Sequence, residues 1–204
     1  MPMRVEIMFP VHIAMWEVDD LLREKVRARV AAWSESEDAK KQVTASPIEA
    51  LETTFFSGRQ SFLDDAGLVE LKQAVLKNAE EYLRWLGIGE IPVELERSWI
   101  NFFRPGMQES EHSHDGSLLS GTYYVEAPEN CGNFVVPDPI GARKSHRAWT
   151  KTNGTTPPTV TEMAYPPKAG RMYMFESWVP HQVTGNKSDR TRISIAFNFR
   201  RKTG

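Results

Sequence analysis

The sequence predicts a mostly β protein, an antiparallel sandwich or barrel with helices supporting one face, and three observations predict it. Helical periodicity is confined to the part of the chain before Pro92. Beyond Pro92, short apolar runs alternate with turn residues, the signature of several short strands. The length of 204 residues with 40% hydrophobic content suits one packed domain rather than two. We therefore expect one domain over 1–204, with a strand and supporting helices in 1–92 and a β core in 93–204.

Residues 4–9 (RVEIMF) read as a short strand ended by Pro10. From Asp19 to Trp33, Leu21, Leu22, Val26, Val30 and Trp33 recur at helical spacing with charged residues between them, which predicts an amphipathic helix. Residues 34–60 are polar and mixed, carry Pro47 and Gly58, and read as a long connection. A second helix is predicted from Asp64 to Leu86, with Leu68, Leu71, Val75, Leu76, Ala79, Leu83 and Leu86 on one side and Gly87 and Gly89 as its stop. The predicted strands are 93–103, 110–115, 118–126, 132–136, 160–165, 171–176, 180–184 and 191–200. Strands that follow helices in this way fit a sheet structure buttressed on one face. Residues 137–159 read as an irregular excursion, and the basic stretch Arg143 to Arg147 within it is either a solvated loop or a lid over substrate.

Charge and cysteine content narrow the function classes. Lys plus Arg number 25 against 27 Asp plus Glu, a net charge of −2, so no global basic field recruits nucleic acid or an acidic membrane. The single cysteine, Cys131, rules out an internal disulfide and a cysteine-clustered metal site. It suits a reducing compartment, and the cytoplasm is the expected location. No run approaches the ~20 apolar residues of a membrane span. Met1 to Trp16 carries Arg4, Glu6, Pro10 and His12, which is unlike the apolar region of a signal peptide.

Chemistry concentrates in the histidines. His112 and His114 are spaced i, i+2 on a predicted strand, so both imidazoles leave one face and can converge on one ion. An isolated pair of this kind is also common as solvated or hydrogen-bonded histidine. The flanking pattern adds to it. A turn at Phe103-Arg104-Pro105-Gly106 precedes the pair, and Ser120-Gly121-Thr122-Tyr123-Tyr124-Val125 follows. Much later Gly170 to Phe175 leads into Trp178-Val179-Pro180-His181, and then comes Arg192-Ile193-Ser194-Ile195-Ala196-Phe197-Asn198-Phe199.

This order and spacing resembles the 2-oxoglutarate and iron(II)-dependent dioxygenase superfamily in its prolyl-hydroxylase-like branch, over roughly residues 93–201. The resemblance extends to small oxygenases of bacteria and phages. It implies a double-stranded β-helix of jelly-roll or cupin-like type. It also implies iron(II), 2-oxoglutarate and O2 as cofactors, and decarboxylation of the keto acid to succinate and CO2 coupled to hydroxylation of a C–H bond. Members hold iron with a His-x-Asp or His-x-Glu pair and a distal histidine. Here His112 matches the first position, His114 occupies the carboxylate position, and His181 matches the distal histidine. Arg192 and Ser194 match the Arg-x-Ser that grips the far carboxylate of 2-oxoglutarate, Tyr124 matches a tyrosine that assists, and Asn101 is a further candidate. Arg190 shares the strand parity of Arg192 and is the alternative anchor.

The departure from the family pattern is His114. The nearest carboxylate, Asp115, is one position out of register, and a strand that ends early at Gly116 would turn it inward. The metal set is therefore either His112, His114 and His181, or His112, Asp115 and His181. A cupin-like metal- or ligand-binding module would use the same barrel with no role for Arg192. An accessory protein that has lost catalysis would bind iron weakly. The sequence leaves the substrate open between a small molecule, a protein side chain and nucleic acid, and leaves a homodimer open as well. Cys131 and His12 read as packing or surface residues.

Overall fold

The computed structural model describes residues 4, 10–47, 50–139 and 161–202. The expected strand at 4–9 and the basic excursion, with His146 and the proposed lid, fall almost wholly outside these residues.

The helices form where the apolar period predicted them, with one interruption. Helix α1 spans Asp20–Ser34; the Asp19 carboxylate caps it by accepting the Leu22 N–H at 2.8 Å, and the helix buries Val26, Val30 and Trp33. The expected 64–86 helix is two helices, α3 (Phe62–Asp65) and α4 (Val69–Trp85). Between them Leu68 N–H donates to Leu63 O and Gly67 N–H to Asp64 O, with Gly67 at φ +64°. That paired closure of a helix end requires a left-handed residue, which glycine adopts without a Cβ penalty. The 34–60 connection also contains regular structure: helix α2 (Glu37–Gln42), capped by Ser36, and two short strands, β2 (Thr44–Ala45) and β3 (Glu52–Thr53).

The remaining strands are β1 (Ala14–Glu17), β4 (Val93–Phe103), β5 (Glu109–His112), β6 (Leu119–Glu126), β7 (Phe134–Pro137), β8 (Glu162–Tyr165), β9 (Arg171–Glu176), β10 (His181–Val183) and β11 (Arg192–Arg201). They make two antiparallel sheets. The larger runs β1-β9-β6-β11-β4-β3-β2 and the smaller β5-β10-β7-β8. The chain thus crosses repeatedly between sheets, the mostly antiparallel β architecture with supporting helices that the sequence predicts.

Side-chain alternation on the larger sheet divides helix support from function. On β11, Ile193, Ile195, Phe197 and Phe199 join α1 and α4 residues such as Val26, Val75 and Ala79 in the main apolar core. Arg192, Ser194 and Ala196 point the other way and line a cavity shared with the smaller sheet. Tyr123 on β6 belongs to the core side while Tyr124 lines the cavity. Gly121 lets β6 and β11 carry this packing: a Cβ there would stand 2.4 Å from the Phe197 ring and 2.6 Å from Tyr173 O. A second apolar cluster, Phe134, Val136, Phe175 and Val179, lies between the sheets, and its Phe134 and Phe175 line the cavity.

Candidate metal and cosubstrate site

Three histidines converge at the cavity. One ligand atom from each of His112, His114 and His181 lies within 4.8 Å of the others, and the ring centroids are 4.3 to 5.1 Å apart. His112 ends β5 and pairs in register with His181, which begins β10. His114 lies beyond the strand end, contrary to the expected strand over 110–115. It is held by its own backbone, whose N–H donates to Ser177 O at 2.9 Å. The early strand end does not turn Asp115 inward: its side chain is exposed and accepts from Ser113 Oγ at 3.1 Å.

The rings are oriented by main-chain carbonyls. His112 Nδ1 lies 2.8 Å from Ser110 O and His181 Nδ1 lies 3.0 Å from Val179 O. A carbonyl only accepts, so Nδ1 carries the proton in both rings and each Nε2 keeps its lone pair for a metal. Trp99, Phe134 and Phe175 pack against the imidazoles. Burial, reinforced by the neighbouring His112, pushes the pKa of His114 down to about 4 and that of His181 well below its ordinary value. All of this favours neutral imidazoles, the protonation state a metal ligand requires.

Those shifts set a pH dependence for the metal-free protein. Unfolded histidine takes up a proton near pH ~6.5, whereas folded His114 resists protonation to about 4. The unfolded state therefore binds more protons in this interval, and stability that is complete above pH ~6.5 is lost as pH falls toward 4. Thermal unfolding of the metal-free chain across this range should show the midpoint falling by several degrees. His114→Asn should flatten that slope, and an unchanged slope would argue against a buried neutral His114.

A second group faces the same cavity from the larger sheet. Arg192 is 1% exposed, its guanidinium carbon stands 3.9 Å above the Phe103 ring centroid, and Nη1 donates to Cys131 O at 3.4 Å. Its Nε has no hydrogen-bond partner. Burial depresses the Arg192 pKa, opposed by the nearby Tyr124, Cys131 and Glu109. Ser194 is the cross-strand neighbour of both Asn101 on β4 and Tyr124 on β6, so these three sit side by side across adjacent strands. Asn101 Oδ1 is likewise buried without a partner. Burial raises the Tyr124 pKa, keeping the phenol protonated and able to donate. Arg190, the alternative anchor, is exposed and precedes the strand, 3.9 Å from Glu126. Cys131 is a buried free thiol and His12 packs edge-on against Trp85.

The cavity thus offers three imidazole nitrogen donors on one wall and, on the facing sheet, a buried cation with unused donor capacity. That donor set fits iron(II), for which imidazole is a suitable ligand, and a keto acid bearing a second carboxylate. Sequence comparison agrees: the family described as "Putative 2OG-Fe(II) oxygenase" matches residues 97–198. The chain belongs to this oxygenase family. It is accordingly an enzyme of the class that uses iron(II), 2-oxoglutarate and O2.

No curated protein matches this oxygenase in sequence, but solved structures resemble its fold. The non-heme α-ketoglutarate-dependent epimerase SnoN from nogalamycin biosynthesis superposes with a TM-score of 0.65 at 12% identity, over 95% of this chain and 80% of that one. A prolyl-4-hydroxylase of Pseudomonas putida gives 0.57 at 20% identity, over 94% of each chain. HygX of Streptomyces hygroscopicus, solved with nickel and 2-oxoglutarate, gives 0.57 at 12% identity, over 94% of this chain and 84% of that one. These likenesses establish the fold as the double-stranded β-helix of 2-oxoglutarate oxygenases. They span the helical first half, which the family match does not reach. Among the described residues no helix is long and apolar enough to cross a membrane.

Two residues that line the cavity, Glu109 and Trp99, were not singled out in the sequence. Trp99 was legible as an inward position, since it shares strand parity with Asn101. Glu109 was not, because its three-residue separation from His112 places the two on opposite faces of a regular strand.

Proposed function

We propose that this oxygenase holds iron(II) with His112, His114 and His181, anchors the far carboxylate of 2-oxoglutarate with Arg192 and Ser194, and hydroxylates a C–H bond of a small molecule or a protein side chain. The observation that carries the reading is the shared cavity: three metal-ready nitrogens within 4.8 Å and, facing them, a buried guanidinium whose Nε has no partner. A cupin-like module that binds only a metal would give that buried guanidinium no ligand, and a buried polar atom without a hydrogen bond is costly. Iron, when bound, supplies the coordination positions and the redox chemistry by which O2 and the keto acid oxidise a substrate.

The chain's own residues supply position and environment. Arg192 presents a planar fork suited to a carboxylate, and the Ser194 hydroxyl adds a donor beside it. Tyr124, held neutral by burial, and Asn101 extend that polar patch. Phe134, Phe175 and Val183 line the cavity and limit water there. The Nδ1 contacts to Ser110 and Val179 fix the ring planes before a metal arrives. Residues 1–204 act in this reading as one unit, with the helices stiffening the sheet that bears Arg192. The buried free thiol of Cys131 suits a reducing, cytoplasmic setting.

Anaerobic titration of the metal-free protein with iron(II) and 2-oxoglutarate tests metal and cosubstrate together. The visible charge-transfer absorption of the iron–keto acid chelate should appear when both are present and not with either alone. Absence of that band at saturating concentrations would count against the assignment.

A further inference from the structure

Glu109 begins β5 and lines the cavity with the three histidines. Its Oε1 stands 3.9 Å from His112 Nε2, the nitrogen left for a metal because Nδ1 is engaged by Ser110 O. The three histidine ligand atoms lie within 4.8 Å of one another, and the Glu109 carboxylate stands beside this group at His112.

The backbone accounts for this placement. His181 pairs with His112 and Val183 with Glu109, so two steps along β10 match three along β5. The extra residue in β5 is a β-bulge, and a bulge re-aims the side chains on either side of it. Glu109 and His112 therefore reach the same cavity although a regular strand would separate them. The intervening Ser110 and Glu111 are exposed.

Charge gives the placement a purpose. Three neutral imidazoles bring no negative charge to a divalent ion, while the carboxylate position of the family pattern holds His114. Glu109 and His112 are both half-buried, and a carboxylate 3.9 Å from a ligand nitrogen is drawn to a divalent ion there. We propose that Glu109 is the carboxylate of the metal centre, ligating the ion held by His112, His114 and His181 before cosubstrate binds. The acidic ligand then stands three residues before the first histidine instead of two after it. The inference rests on the three-histidine reading above.

Cobalt(II) alone, added to the metal-free full chain, reports both affinity and coordination through its d–d absorption. Glu109→Gln keeps the side-chain shape and removes the charge; it should weaken cobalt binding about tenfold or more and change the d–d spectrum. Glu109→Ala should do the same, while Glu111→Gln, on the exposed part of the strand, should match the parent. Melting curves establish that each variant is folded. Cobalt affinity within about threefold of the parent in both Glu109 variants overturns the proposal, and a loss between these limits without spectral change overturns the ligand assignment too. His181→Ala separates the two readings: if it retains parent affinity the three-histidine site itself fails, whereas its loss of binding beside silent Glu109 variants removes Glu109 alone.

Discussion

His181→Ala should abolish iron binding, the largest single effect expected in this protein. His181 is 5% exposed, its ring faces both other histidines, and its orientation is set by Val179 O. Deleting it leaves two imidazoles from one short segment. The loss should exceed the roughly 10–100-fold that follows removal of an outer-shell partner. His114→Asp should behave differently, since it places a carboxylate in the family's usual position and should preserve iron binding. Asp115→Ala should be nearly silent because that side chain is exposed and turned to Ser113. Iron affinity measured for these three variants and for His114→Ala ranks them. If Asp115→Ala abolished uptake and His114→Ala were tolerated, the metal set would be His112, Asp115 and His181.

Arg192→Ala should come next, weakening 2-oxoglutarate binding while leaving iron affinity nearly intact. Losing a buried charged pair typically costs about 2–5 kcal/mol, so a thirtyfold or greater loss is expected. A change below about threefold would remove Arg192 from the anchor. Arg190→Ala should have little effect, as its side chain is exposed at the strand entrance. Structural and binding roles separate in Arg192→Met, which keeps a long side chain over Phe103 and deletes the charge. A buried cation exchanged for an apolar residue often leaves stability unchanged or improved. We therefore expect Arg192→Met to lose cosubstrate binding with no fall in melting temperature. Arg192→Lys should rescue only part of the affinity, because an ammonium lacks the planar fork.

Much of this site was legible from local pattern. The alternation of Arg192, Ser194 and Ala196 with Ile193, Ile195 and Phe197 marks one face of β11 as polar and the other as core, and the structure divides them in that way. Periodicity likewise placed α1 and most of α4. Glycine punctuation was readable at the end of α4, at Gly87 and Gly89, but not at Gly67, where the apolar period runs through a helix break marked by a φ of +64°. Strands β1, β2 and β3 lacked a signal, since they are short segments at or beside the edges of the larger sheet whose conformation comes from pairing, β1 with β9, β3 with β4 and β2 with β3.

Residue chemistry and local period alone showed which histidines could meet, which face of the last strand was polar and which helices had an apolar side. Those properties follow from backbone geometry that repeats every 2 or 3.6 residues and needs no distant partner. The tertiary structure decided how the strands register. It ended β5 at His112 so that His114 is aimed by a bond to Ser177, left Asp115 in solvent, and inserted the bulge that brings Glu109 beside His112. Register is an agreement between two strands far apart in the chain. A single extra residue in one of them reverses the face of every side chain beyond it, so parity counted along one strand alone could not find Glu109.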